Sequence, residues 1–215
     1  MQRIFHMKLK KDKIRDLVYQ EIKKMLLNQD LLPGQKVNKK ELAEILHVSQ
    51  TPVQESIIAL IKEGLFESRP REGIFVKEFT NQDMRDFFAV RAGIEGIALR
   101  LCIEQYGVDS LEDIIELFDS FSLPIELEED KQIYQQVDRK FHEQILLRSG
   151  NSMIREFVHE FNFVLRCYQK GLLREPSETL PEHLAIIKAI RAGNADLAQS
   201  LIMEHHMKSY AKLPL

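Results

Sequence analysis

Cysteine is scarce in this chain of 215 residues: there are two, Cys102 and Cys167, far apart and outside any CxxC pair. A disulfide framework is thereby excluded, and both are expected to be buried, reduced thiols. Glycine (9) and proline (7) are also few, and with 44% hydrophobic and 29% charged residues this excludes a disordered chain and favours a packed, mostly helical one. Long hydrophobic runs are missing: none approaches the roughly 18 residues of a membrane span. The stretch from Met1 to Lys13 carries lysines where a signal peptide would have its apolar segment. A cytoplasmic protein with no membrane partner is therefore expected. A large excess of one charge is absent too, but the net charge of -3 hides an asymmetry. Residues 1 to 78 carry 15 Lys+Arg against 11 Asp+Glu, whereas residues 79 to 215 carry 15 against 22. An anionic partner is expected at the N-terminal end only, although differences of this size also arise on solvated faces.

The length suits two domains. Ile14, Leu17, Val18, Ile22, Met25 and Leu26 recur at helical spacing up to the Leu32-Pro33-Gly34 turn. A second, short helix follows, with Asn38 as its cap and Glu41 three residues on. A third opens at Ser49 or Thr51 with Pro52 in its first turn and ends at Gly64. Leu65 to Ser68 and Ile74 to Lys77 read as two strands joined by a basic turn. Three helices and a hairpin make a winged helix over residues 1 to 78. From Thr80 no strand signal returns, and residues 79 to 215 read as an all-helical bundle of about six antiparallel helices, near 82–105, 110–122, 128–149, 152–172, 180–192 and 195–211. The fold class is mainly α.

In a helix-turn-helix the second helix enters the major groove with its N-terminal residues at base edges, while other groups grip phosphates. Ser49, Gln50, Thr51 and Gln54 are the short polar groups that such a helix needs, Ile57, Ile58, Leu60 and Ile61 turn its later part to the core, and Lys39, Lys40, Arg69 and Arg71 are available for phosphates. By pattern alone, Ser49 and Thr51 could equally be simple caps, Gln54 a solvated helix residue and the lysines solubilising. The run PGQKVNKKELAEILHVSQTPVQESIIALIKEGLFESRPREGIFVKEF resembles the winged helix of the GntR family. Leu42, Ala43, Leu46, Val48, Ser49, Thr51, Pro52, Val53, Glu55, Leu60, Glu63, Gly64, Leu65, Gly73 and Val76 fall on its pattern without a gap. The resemblance implies a homodimer reading a double-stranded DNA inverted repeat, usually as a repressor, with Ser49, Thr51 and the wing at Gly73 carried over. Gln50 and Gln54 stand where the family has arginines. Arginine reads guanine and glutamine prefers adenine, so weaker, less salt-sensitive binding or a shifted base preference is expected.

Asp138 and His142 are four apart in VDRKFHEQILLRSGN, which puts a carboxylate and an imidazole on one helix face about 6 Å apart. His183 and His205 fall on two later helices, and a bundle can turn side chains from several helices toward one interior point. Three imidazoles and a carboxylate suit zinc, with nickel or manganese as alternatives; against this, Asp and His four apart occur often on solvated helices, and seven histidines leave several triples to choose from. His206 points about 100° away from His205 around the helix, which makes it a poorer ligand. His6, His47 and His159 read as ordinary histidines.

VRAGIEGIALRL, DRKFHEQILLRSGNSMI and EHLAIIKAIRAGNADLAQSLIMEHHM resemble the FCD effector domain of the FadR-type branch of GntR regulators, over residues 80 to 210. The resemblance implies that Asp138, His142, His183 and His205 are metal ligands and that Arg91 faces an effector pocket for a small carboxylate. A helix arginine can instead pair with Glu95 at i+4. The expected function is a DNA-binding regulator, not an enzyme. Two other functions compete: a metal-dependent hydrolase, for which Glu143 and Glu182 are badly placed as proton carriers, and a regulator that senses the metal alone. A ligand could release DNA only by favouring the non-binding arrangement of the heads, acting through the junction near Lys77 to Gln82.

Overall fold

The computed structural model describes the backbone of residues 2–155 and 173–214, and the side chains of residues 13–155 and 173–214. The second cysteine, His6 and His159 therefore lie outside the described side chains, and of the helix expected over 152–172 only residues 152–155 are described, as helix. The chain divides into two compact units, one within Met1–Phe79 and the other beginning at Thr80. No described helix is long and apolar enough to cross a membrane.

The first unit contains α1 (Gln2–Leu27), β1 (Lys36–Val37), α2 (Lys39–Ile45), α3 (Gln50–Lys62), β2 (Phe66–Arg69) and β3 (Gly73–Val76). Helix α1 begins well before the periodic stretch at Ile14. The Asn38 side chain accepts from the Lys40 and Glu41 backbone N–H groups and so starts α2, satisfying donors that the helix itself cannot. Ser49 occupies the N-cap of α3 but its hydroxyl makes no capping bond, and Pro52 sits in the first turn where no N–H is needed. Val18, Ile22, Leu26, Leu42, Val53, Ile57, Leu60 and Phe66 fill the core. Ile58, expected inside, is 44% exposed. It lies one residue, or about 100°, from buried Ile57 on the helix wheel.

The hairpin is joined by a third strand that periodicity did not reveal, because two residues are too few to show alternation. β1 and β2 both run antiparallel to the central β3, with Val37 opposite Ile74 and Phe66 opposite Val76. At the tip Arg71 adopts φ 67° and Gly73 φ 120°. A Cβ at Gly73 would lie 3.1 Å from Lys36 Cε, so glycine is favoured there by both space and conformation.

The second unit contains α4 (Asn81–Leu101), a five-residue π turn (Cys102–Tyr106), a short 3-10/α5/3-10 segment (Val108–Leu111, Glu112–Ile115, Glu116–Phe118), α6 (Glu128–Arg148), α7 (Pro176–Arg191) and α8 (Ala195–Lys212). The Thr80 hydroxyl accepts from Asp83 N while Asp83 answers the Thr80 N–H, a capping box that fixes the start of α4. The helix expected over 110–122 is this broken segment; Leu111, Ile114, Ile115 and Phe118 all reach the core, so the helical spacing of its apolar residues was real. Helix α7 starts earlier than expected, at Pro176 in the first turn, and carries Pro181 within it. Helices α4 and α8 approach closely at Gly96, where an added Cβ would stand 2.7 Å from Met203 Cγ.

The core gathers Leu99, Cys102, Phe118, Tyr134, Phe141, Ile145, Ile186, Ile190 and Ile202. Burial pushes the Cys102 thiol up to about 11, so it stays a neutral thiol at pH 7. Phe118 packs edge-on to Phe141 at 5.3 Å and lies 4.9 Å from the His183 ring, making it both core and wall for the polar interior. Truncating Phe118 to alanine should cost about 3–5 kcal/mol by the usual transfer and cavity terms. Denaturant titration of the full chain, followed by far-UV circular dichroism, checks this; a loss below 1 kcal/mol would mean that Phe118 is not fully packed.

Candidate metal centre and nucleic-acid interface

Helix α6 carries Asp138 and His142 on one face, α7 contributes His183, and α8 contributes His205. Four ligand-type atoms, one from each, lie within 4.8 Å of one another. His183 Nε2 is 3.1 Å from Asp138 Oδ1 and 3.3 Å from His142 Nε2, and His142 Nε2 is 3.7 Å from the same carboxylate oxygen. All three imidazoles are buried and Asp138 is a quarter exposed.

Each imidazole is held from behind through its other nitrogen. His142 Nδ1 meets Glu95 Oε2 at 2.5 Å, His205 Nδ1 meets Glu182 Oε2 at 2.8 Å, and His183 Nδ1 meets the Tyr134 hydroxyl at 2.8 Å. The ionised carboxylates can only accept, so His142 and His205 donate from Nδ1 and keep a bare Nε2 lone pair facing inward. Tyr134 in turn contacts Thr179 Oγ1 at 2.8 Å, and Thr179 donates to the Glu175 carbonyl. Donation from His183 Nδ1 along this chain would leave its Nε2 bare as well. Converging lone pairs repel one another unless a cation or proton stands between them, so this donor set fits a divalent metal ion.

Electrostatics agree with the geometry. Burial lowers His142 to about 4 and His205 to about 3, so both are neutral at pH 7, the form that binds metals. Burial alone would raise the Asp138 carboxyl; a proton on His183 Nε2, the alternative to a cation at that point, would be donated to it, and this bond with the surrounding imidazoles outweighs burial and holds the group well below the carboxylate range. Glu182, likewise raised by burial, is brought well down by hydrogen bonds from His205, Arg174 and Lys208. Its oxygens are taken by Arg174 at 2.6 and 2.8 Å and by Lys208 at 3.1 Å, which leaves it unsuited to carry a proton to substrate.

Glu95 is fully buried, and sequence reasoning considered it only as a partner for Arg91. That i+4 pairing exists, from Arg91 Nε to Glu95 Oε1. The terminal Arg91 nitrogens make no hydrogen bond among the described residues. Glu95 Oε2 also accepts from His206 Nε2 at 2.7 Å. His206, read from the helix wheel as turned away from the ligand group, is indeed outside it, yet it is 1% exposed, and burial lowers it to about 4. Its Nδ1 has no hydrogen-bond partner among the described residues. Glu95, His142 and His206 also form a ligand-type trio. With three donors already converging on Glu95, a carboxylate bracing two imidazoles accounts for the trio without a second ion. A clue in the sequence was the Arg-x-x-x-Glu pair on the apolar face of VRAGIEGIAL. The roles of Tyr134, Arg174 and Glu182 had no local signature.

In the first unit, a groove of about 830 Å³ runs between β1, α2 and α3, lined by Lys36, Lys39, Lys40, Gln50, Thr51 and Gln54 among others. Ser49, Gln50 and Thr51 are exposed, and the Ser49 hydroxyl is not spent on a cap. Lys39 Nζ donates to Gln54 Oε1. Lys40 lies 3.9 Å from Glu44. Arg69 is less available than its type suggests, since it pairs with Glu67 at 2.6 Å and stacks over Phe75. Arg71 is exposed at the wing tip with no ion pair among the described residues, and Gly73 follows it at the start of β3.

Both halves of the chain match known families. The model of the bacterial regulatory proteins of the gntR family matches residues 14–76, and that of the FCD domain matches residues 86–208. The chain is 29% identical over 206 residues to the probable D-xylose utilization operon transcriptional repressor of Paenarthrobacter nicotinovorans, covering 92% of this chain and 85% of the relative. It is 25% identical over 191 residues to the HTH-type transcriptional regulator YdhC of Bacillus subtilis, covering 87% and 85%. The solved structure of E. coli McbR/YncC shares the fold, with a TM-score of 0.65 at 21% identity over 93% of this chain and 96% of that one.

Removing the carboxylate that braces two imidazoles should be costly. Glu95→Ala leaves the buried Arg91 charge uncompensated, and a loss of about 3–5 kcal/mol is expected in denaturant titration. Tyr134→Phe, which removes one buried hydroxyl, should cost about 1 kcal/mol. Equal stability of Glu95→Ala and the parent would contradict the buried network.

Proposed function

The chain belongs to the gntR family of bacterial regulators that carry an FCD domain and is a DNA-binding transcription regulator, and from that premise we propose how its operator affinity is set. Residues 1–78 form the DNA-binding domain, and residues 79–215 hold a divalent metal ion, most simply zinc, together with a small carboxylate effector. The observation that carries the reading is the convergence of Asp138, His142, His183 and His205 within 4.8 Å, with each imidazole braced through its Nδ1. Three imidazoles and one carboxylate would leave a bound divalent ion with residual positive charge, a Lewis acid toward an anionic ligand. Arg91, whose terminal nitrogens make no hydrogen bond among the described residues, supplies a second cationic group for the same anion. Small carboxylates are thus favoured over neutral or cationic effectors.

The protein acts as a homodimer on an inverted repeat, since protein and operator symmetry match. Repression is the favoured sign, in keeping with the relative whose name describes a repressor. The effector weakens operator binding only to the extent that it prefers the non-binding arrangement. Ser49, Gln50, Thr51 and Gln54 meet base edges, while Lys39, Lys40, Arg69, Arg71 and the backbone at Gly73 meet phosphates, with Arg69 contributing least because of its Glu67 pair.

Protein purified without chelator should hold about one ion per chain by elemental mass spectrometry. His142→Ala, His183→Ala and His205→Ala should each lose most of it, and Glu182→Gln should weaken metal affinity about 10–100-fold. An ion bound only by the folded state adds about 4 kcal/mol at a thousandfold excess over Kd, so a chelator should lower the melting temperature of the parent and not of the triple-histidine variant. Absence of stoichiometric metal after reloading would sink the metal reading. On the DNA side, Thr51→Ala and Arg71→Ala should weaken operator binding with an unchanged second unit, and Arg71→Ala should reduce the salt slope by about one. Full affinity of both variants across a salt series would refute the groove assignment.

A further inference from the structure

Resting on the groove reading above, but moving Lys39 from the phosphates to a base edge, we propose that Lys39 and Gln54 form a composite base reader that selects guanine, two side chains together presenting the pair of donors that an arginine fork presents alone. Lys39 opens α2 and Gln54 sits one turn into α3, fifteen residues later, and both line the same groove as Gln50 and Thr51. Lys39 Nζ donates to Gln54 Oε1. An ammonium has donors only, so this contact fixes the amide: its oxygen faces Lys39 and its NH2 group is left for another partner. Among the described residues Lys39 pairs with no carboxylate, so its charge is balanced only by a neutral amide dipole.

A glutamine by itself prefers adenine because it offers one acceptor to the N6 amino group and one donor to N7. Here the acceptor is already engaged, and the ammonium beside it confronts any base amino group with like-signed hydrogens. Adenine N6 and cytosine N4 are thereby disfavoured. Guanine presents two acceptors, O6 and N7, in the major groove. Gln54 Nε2–H meets one and a remaining Lys39 N–H meets the other. Thymine O4 satisfies only one of the two donors.

Selection from a randomised duplex library with the full-length protein tests this, using the parent, Lys39→Met and Gln54→Ala. The parent should select guanine at one position of each half-site, by about tenfold over adenine. Lys39→Met keeps the stem and frees the Gln54 oxygen, so the same position should turn to adenine; Gln54→Ala should flatten the preference there. Circular dichroism melts of the variants establish that the fold is kept. Adenine selected by the parent at the position that Gln54→Ala flattens overturns the proposal. So does a uniform loss of affinity in Lys39→Met with an unchanged base profile, which would make Lys39 a phosphate contact only. If the parent binds no duplex selectively, the groove reading itself fails, and the proposal with it.

Discussion

A charge taken out of water must be paired and hydrogen-bonded, because its desolvation is repaid only by close partners. The second unit is built around that constraint. Glu95 has no exposure and Arg91 and Arg174 have little, yet each carboxylate or guanidinium has a partner, and two of the resulting pairs end on an imidazole. The interior is therefore polar along a line and apolar around it. Phe118, Phe141 and Tyr134 form part of the wall, and their rings lie against His183 from several sides. Burial within this wall strengthens the electrostatic contacts inside and keeps His142 and His205 neutral.

The two braces differ in kind. His142 and His205 lean on carboxylates, which raise the electron density of the ring, whereas His183 leans on a phenol that relays to Thr179. Glu95 adds a further connection, since one of its oxygens serves both His142 and His206 while the other is held by Arg91. Whatever draws Arg91 away from Glu95 alters the field at His142. On the proposed reading, an anion at Arg91 and a cation among Asp138, His142, His183 and His205 would then feel one another through a single buried carboxylate, and such coupling is reciprocal.

The first unit follows another constraint, that a recognition helix must present polar groups without spending them internally. Ser49 caps α3 by its backbone conformation and does not spend its hydroxyl on a capping bond. The wing is made by strain accepted at one point, the positive φ of Arg71 beside Gly73, which costs a side-chain-bearing residue on the order of 1 kcal/mol and turns the arginine outward. Arg69, two residues earlier, goes the other way and lies down on Phe75 against Glu67.

Local sequence determined the elements and much of the site. Apolar spacing located α1, α2, α3, α4, α6 and α8, because amphipathic faces are properties of a single helix. Asn38 and Thr80 announced their caps, and the i,i+4 spacing of Asp138 and His142 put them on one face before any tertiary contact was known. Spacing could not find the two-residue β1, the breaks between Val108 and Phe118, or the early start of α7. Nor could it find what stands behind each ring. Glu95 and His142 are 47 residues apart, Tyr134 and His183 are 49, and Glu95 and His206 are 111. The helix wheel turned His206 away from His205 correctly, but whether that direction met solvent or a buried carboxylate depended on α4 packing against α8, at the close approach that Gly96 permits. Periodicity describes one element at a time, and a hydrogen bond between two elements depends on how their faces meet.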